Sequence, residues 1–204
     1  MSKGIIEQIR ERVASAADGT VFTTSDFLDI ANNVTVRQSL HRLVKEGILK
    51  RVINGVFEKP KYSKLLGEVV ATNPDEVAKA IARNYHWTIS PCGNTALNMF
   101  GISTQVPSGW LYCSDGPYKE YKWNTTKLEF KHRTNRDISG LSEITALLIQ
   151  ALKALGKESV SQDIVNYLSD RLTDEQKSIV LSEARGTTSW VYQYVQQICE
   201  RSNN

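Results

Sequence analysis

The sequence predicts a mixed α+β fold, and three observations along its 204 residues support this class. Apolar residues recur at helical spacing in three short segments before Gly47. Asn54 and Gly55 then separate two β-prone runs, and Asn-Gly is the strongest short signal for a hairpin. Further β-prone runs follow between Trp110 and Arg133, and helical periodicity fills the chain from Leu141 onward.

The first sixty or so residues predict three helices followed by a hairpin. Asp18-Gly19 ends the first helix, Thr23, Thr24 and Ser25 offer caps to the second, and Gly47 ends the third. The predicted helices span residues 3–17, 26–31 and 35–46, and the strands span 48–53 and 56–59. This order is typical of a winged helix-turn-helix, which we assign to residues 1–62 as a DNA-binding domain.

Positive charge is concentrated at the N-terminal end of the chain. Residues 1–62 carry ten Lys or Arg against seven Asp or Glu, whereas residues 63–204 carry fifteen of each. Within residues 36–61 there are seven basic side chains and two acidic ones. Such a local excess is typical of a phosphate-binding surface, although solvated protein surfaces can carry it too.

The third predicted helix has an apolar stripe, formed by Val36, Leu40, Leu43 and Val44, and an opposite polar face. In a winged helix the third helix enters the major groove of DNA, and the wing contacts the backbone. Arg and Gln bond bidentately to guanine and adenine edges, whereas Lys suits phosphate. The residues predicted to bind DNA are Thr35, Arg37, Gln38, His41, Arg42, Lys45, Lys50, Arg51, Asn54, Lys59 and Lys61.

Two interpretations of this polar face stay open. Any surface helix shows polar residues opposite its apolar stripe, and winged helices also serve as protein–protein modules. Acidic residues are nearly absent from residues 35–51, where only Glu46 is negative, and this favours DNA. His41 fits a solvated helix position as well as a base contact.

Residues 63–204 are predicted to form a second α+β domain with a helical tail from about residue 141. Helices are expected at 74–85, 94–100, 141–155, 161–172, 174–184 and 189–201. Five aromatic residues crowd the β region, where they fit cross-strand packing or a protein interface. They are Trp110, Tyr112, Tyr118, Tyr121 and Trp123.

The second part shows no pattern of catalysis or metal binding. It has no phosphate-loop motif, no Gly-x-Ser-x-Gly and no His-x-x-x-His pair. The three cysteines, Cys92, Cys113 and Cys199, lack zinc spacing and are expected to be reduced thiols. We therefore expect no cofactor, no metal and no enzymatic activity. Without a signal peptide or a long apolar run, the protein is expected to be cytoplasmic and to bind no membrane.

Two stretches resemble the AbiEi-type antitoxins of type IV toxin–antitoxin systems. Residues 47–57, GILKRVINGVF, match that family's wing pattern of Gly, a hydrophobic residue, Arg, Gly, a hydrophobic residue and Tyr or Phe. Residues 88–102, TISPCGNTALNMFGI, are similar to its strand, small-residue turn and Ala-Leu-x-x-x-Gly helix. The resemblance covers roughly residues 1–133. It departs at Pro91-Cys92, and the tail from Leu141 has no counterpart.

This resemblance implies an antitoxin that represses its own operon by binding the double-stranded DNA of its promoter or operator, with residues 63–204 as its antitoxin or effector domain. It also implies a functional partner, a nucleotidyltransferase toxin, which the antitoxin need not contact directly. The alternative is a transcriptional regulator whose C-terminal domain senses a ligand or a protein partner. A third interpretation is an enzyme with an appended winged helix, and no motif in the sequence supports it.

Overall fold

The computed structural model describes residues 4–65, 67–105, 109–133 and 137–200 and confirms a mixed α+β fold with several sheets. The helices in these residues are α1 (Ile5–Ser15), α2 (Asn33–Lys45), α3 (Pro74–Tyr85), α4 (Asn94–Met99), α5 (Glu143–Leu155), α6 (Gln162–Asp170), α7 (Asp174–Glu183) and α8 (Ser189–Cys199). The strands are β1 (Val21–Thr23), β2 (Lys50–Ile53), β3 (Val56–Glu58), β4 (Tyr62–Ser63), β5 (Glu68–Val69), β6 (Ile89–Pro91), β7 (Trp110–Ser114), β8 (Lys119–Trp123) and β9 (Thr126–His132). Within the described ranges, no helix combines the length and apolarity needed to cross a bilayer.

The chain folds as two compact units. The first comprises Met1–Trp87 with Tyr121–Thr125, and the second comprises Thr88–Glu120 with Thr126–Asn204. The first unit therefore continues past residue 62 and contains α3. A boundary of the DNA-binding domain at residue 62 stays a prediction.

The N-terminal elements of the first unit share one apolar core. The predicted stripe of α2 lies in it, because Val36, Leu40 and Leu43 are fully buried. α2 begins two residues before its predicted start, since the side-chain oxygen of Asn32 accepts the Thr35 N–H at 3.0 Å and caps the helix there. The buried residues of this core are Ile9, Val13, Phe22, Phe27, Val36, Leu40, Leu43, Leu49 and Phe57.

The second predicted helix, at residues 26–31, is wrong in form. In its place stands a single 3-10 turn at Thr24–Phe27. The Asp26 carboxylate accepts the Thr23 N–H at 2.7 Å and the Thr23 hydroxyl at 3.1 Å, and so caps the start of this turn. The Phe27 carbonyl accepts the N–H groups of both Ile30 and Ala31, and the helical pattern does not continue beyond this turn.

The predicted hairpin forms as β2 and β3, and Gly55 has a φ of 80° at its tip, where glycine is favoured. The sequence did not predict β1, which pairs antiparallel with β3 and completes a sheet in the order β1-β3-β2. All of β1 is buried, so it lacks the alternation that reveals a half-buried strand. β4 and β5 likewise form a small antiparallel pair between residues 62 and 69, where the sequence predicted no strand.

α3 begins as predicted, with Asn73 as its cap and Pro74 in its first turn. Near its end, Arg83 donates hydrogen bonds to both carboxylate oxygens of Asp26, at 2.7 and 3.0 Å, and to the Val21 carbonyl at 3.1 Å. Burial alone would raise the pKa of Asp26, but the bonds from Arg83 and Thr23 outweigh it and lower that pKa. The ion pair therefore holds α3 against the 3-10 turn.

The second unit combines a mixed sheet with the C-terminal helices. The strand order is β6-β7-β9-β8, with β6 and β7 antiparallel and β7 and β9 parallel, and the division between the units falls within β8. The predicted helical tail packs with Ala96 and Phe100 in one core, so it is part of this unit. The aromatic residues of the strands do not share one environment: Tyr112 is buried against Phe130, whereas Tyr118 is 66% exposed.

Replacing Asp26 by asparagine should lower the free energy of unfolding by about 1–2 kcal/mol at neutral pH, because the bond to Arg83 loses its charge. The folded-state pKa of Asp26 lies below its unfolded value, so the carboxylate stabilises the fold above about pH 4 and this contribution is lost at lower pH. Urea denaturation between about pH 2.5 and pH 7 should show the wild type and the variant converging on acidification. Glu158→Gln, at an exposed site, is the control; a pH-independent gap for Asp26→Asn would contradict the assignment.

Candidate nucleic-acid interface

The outward face of α2 presents most of the helix residues that the sequence assigns to DNA. Arg37, Gln38, His41, Arg42 and Lys45 are exposed. Their spacing makes two neighbouring rows: Arg37 with His41, and Gln38 with Arg42 and Lys45. The sixth predicted residue of α2, Thr35, is half-buried; its N–H bonds to Asn32 and its carbonyl accepts the Ser39 hydroxyl.

Two of the predicted phosphate contacts have ammonium groups that are used inside the fold. Lys50 pairs at 2.7 Å with the carboxylate of Glu58, which is buried and also accepts the Thr72 hydroxyl at 2.6 Å. Lys59 donates to the carbonyls of Ala14 and Ala16, at 3.0 and 2.7 Å, at the C-terminal end of α1. Lysine suits this position, since it satisfies carbonyls that have no helical partner.

Arg42 is partly neutralised by Glu46, the residue that directly follows α2. Its Nε lies 3.0 Å from one oxygen of Glu46, and Arg10 lies 2.8 Å from the other. Hydrogen bonds from Arg10, which has the larger effect, and from Arg42 lower the pKa of Glu46. The carboxylate therefore stays charged and offsets part of the positive charge at the end of α2.

Of the other predicted side chains on this surface, four have no partner among the described residues and three are oriented by neighbouring side chains. Among the described residues, Arg37, Gln38, Lys45 and Lys61 take part in no side-chain hydrogen bond or salt bridge. At the hairpin tip, Arg51 donates to the side-chain oxygen of Asn54 at 2.7 Å, which orients both groups. The ring of His41 meets Phe57 edge-on at 6.0 Å between centroids, so it is oriented by packing.

A cleft of about 630 Å³ opens beside α2 within the first unit. Sequence reasoning placed Arg37, His41 and Asn54 on this surface but missed the rest of its lining. The missed residues come from the 3-10 turn, the start of α2, β3, the end of α3 and Tyr121, segments whose proximity only folding reveals. The lining is Thr23, Thr24, Ser25, Leu28, Asn33, Arg37, His41, Asn54, Gly55, Val56, Phe57, Ile81, Asn84, Tyr85, His86 and Tyr121.

The cysteines are free thiols, as predicted. Cys92 and Cys113 are buried, and the neighbouring Cys113 thiol and burial raise the pKa of Cys92. Burial raises the pKa of Cys199 to about 11. In the part of the chain that the structure describes, no three His, Cys, Asp or Glu side chains come close enough to hold a metal ion.

The fold and this surface define a two-unit α+β protein with an exposed, basic helix in its first unit. The chain belongs to DUF6088, a family of unknown function that matches residues 8–180. A search among curated proteins finds no match. Among solved structures, the RV2827C protein from Mycobacterium tuberculosis is similar, with a TM-score of 0.43 and 14% identity over 96% of this chain and 75% of that one.

Lys59→Ala should destabilise the protein, whereas Lys61→Ala should not. Removing the Lys59 ammonium removes its hydrogen bonds to the carbonyls of Ala14 and Ala16 and its 3.2 Å salt bridge to Asp18, at a cost of about 0.5–1.5 kcal/mol in the free energy of unfolding. Lys61 is exposed and unpaired in the described structure, so its loss should change that energy by less than about 0.5 kcal/mol. Denaturant unfolding of the two variants measures both values, and equal losses would show that Lys59 has no such role.

Proposed function

We propose that the chain is a non-catalytic, DNA-binding regulator that uses α2 as its recognition helix. The observation that carries this proposal is the α2 surface, where Arg37, Gln38 and Lys45 are exposed and have no side-chain partner among the described residues. These side-chain types supply base-edge and phosphate contacts. An unpaired guanidinium and ammonium on one helix are available to an anionic partner.

The order of elements supports a winged helix as the frame for this surface. α1, the 3-10 turn and α2 precede the hairpin of β2 and β3, and β1 adds a third strand to the sheet. In winged helices the recognition helix directly precedes the wing. On this proposal the tip at Asn54 and Gly55 is the end of the wing, and Arg51 and Lys61 contact the sugar-phosphate backbone.

The two ends of α2 take different roles in the proposal. Recognition helices place their N-terminal residues against base edges. At that end Val34 is 65% exposed beside Arg37 and Gln38, and an exposed apolar side chain suits the methyl group of thymine. At the other end Lys45 contacts a phosphate. It is the cation available there, since Arg42 is paired with Glu46.

Alanine variants should separate sequence reading from general attraction. Gln38→Ala should weaken binding to the specific site by about 1–3 kcal/mol and leave binding to random DNA nearly unchanged. Lys45→Ala should weaken both and lower the slope of log affinity against log salt by about one unit, since a phosphate carries no sequence information. The measurement is a titration of the full chain with DNA from its own upstream region and with random DNA of the same length.

Lys119→Ala is the matched control, because it removes one positive charge from an exposed site in the second unit. It should bind both DNAs as the wild type does. Binding that is independent of salt, or full operator preference in Gln38→Ala, would show that α2 is not the recognition helix.

Within this class we propose the narrower role of an antitoxin that represses its own operon in the cytoplasm. Its support is the resemblance of residues 47–57 and 88–102 to AbiEi-type antitoxins. The test is growth of cells that express a neighbouring nucleotidyltransferase gene, with and without this chain. Expression of the chain should restore growth, and Gln38→Ala should restore it equally from a foreign promoter. No rescue from that promoter would contradict the antitoxin role and leave DNA binding untouched.

A further inference from the structure

The cleft beside α2 extends the candidate interface beyond the winged helix. Arg37, His41 and Asn54 line it from α2 and the hairpin tip, while Asn84 and Tyr85 line it from the end of α3. Its volume of about 630 Å³ is large enough for a nucleotide-sized group. A partner that lies on α2 would therefore also reach α3.

The chemistry of the lining favours an anion. It offers a guanidinium, imidazole rings, amides and hydroxyl groups, and the described lining contains no carboxylate. Arg37 has no acidic partner among the described residues, so its charge is available inside the cleft. Tyr85 is 50% exposed and stacks on Trp87 at 4.8 Å between ring centroids, and its hydroxyl shares a hydrogen bond with Tyr121.

We propose that this cleft binds the phosphate-ester backbone of a DNA strand, with Arg37 as its charged contact and Asn84 and Tyr85 as contacts from α3. The proposal rests on the proposed function, because it uses the same DNA that α2 reads. A DNA strand is favoured over a free nucleotide since Arg37, His41 and Asn54 belong to the α2 and hairpin surface as well as to the cleft. One continuous polymer can occupy both.

The end of α3 is held firmly enough to serve as such a contact. Arg83, directly before Asn84, is fixed by its two bonds to Asp26 and one to the Val21 carbonyl. The carbonyls of Ala82 and Arg83 accept the N–H groups of His86 and Trp87, which satisfies two of the last four carbonyls of α3 and reduces the partial negative charge that would repel an anion. Arg83 is thus a positioning residue for the cleft.

Asn84→Ala and Tyr85→Ala should each weaken binding to operator and to random DNA about five- to tenfold, by equal factors, because backbone contacts carry no sequence information. Tyr118→Ala is the matched control, since it removes another exposed tyrosine, in the second unit. It should bind both DNAs as the wild type does. Thermal unfolding of each variant checks that it is folded, and Tyr85→Phe, which keeps the stacking ring, tests the hydroxyl separately.

The outcomes separate this inference from the proposed function. If the wild type binds DNA and the Asn84 and Tyr85 variants match Tyr118→Ala, the cleft inference fails while the function of α2 stands. If the wild type binds no DNA, both fail. Titration with adenosine monophosphate distinguishes the two sources of phosphate ester: saturable nucleotide binding that DNA does not displace, and that Tyr85→Ala abolishes, would overturn the DNA strand as occupant.

Discussion

The Asp26 carboxylate is the point on which the architecture of the first unit depends. It accepts the N–H and hydroxyl of Thr23 and two bonds from Arg83, so one side chain both closes the 3-10 turn and attaches α3. A half-buried carboxylate needs such partners, because burial disfavours its charged form. The short turn brings the chain into α2 after only a few residues, and the attachment of α3 brings Asn84 and Tyr85 to the cleft beside α2.

The folded structure divides the basic residues into two groups that a count of charges cannot separate. Lys50 and Lys59 stabilise the sheet and the end of α1, where their ammonium groups satisfy a buried carboxylate and free carbonyls. Arg37 and Lys45 have no partner in the described residues and remain exposed. The net charge of +3 is therefore a poor guide to the interface. The positions of the unpaired cations are the better guide, since an engaged cation must break its contacts before it can bind a phosphate.

Sequence reasoning located the features that depend on local signals. α2 carries apolar periodicity, α3 carries both its cap and its periodicity, and the Asn54-Gly55 turn imposes its hairpin locally. It could not find β1 or the pair of β4 and β5, because a two- or three-residue strand exists only through its partner. The sequence could not predict the cleft, because the cleft also depends on long-range contacts. His41 and Tyr85 lie far apart in sequence, and the pairing of Asp26 with Arg83 spans 57 positions.

The two halves of the proposed interface differ in what they contribute to binding. Val34 and Gln38, on the N-terminal half of α2, meet base edges, so they set which sequence is preferred and add little to binding elsewhere. The cleft meets the backbone, so it adds to affinity on every sequence and fixes how the helix is seated. Because α3 is tied to the 3-10 turn, the cleft constrains the angle at which α2 can enter a groove. On this view Arg83 acts on binding without touching DNA: weakening its bonds to Asp26 would displace Asn84 and Tyr85 from the backbone, and affinity for operator and for random DNA would decline together.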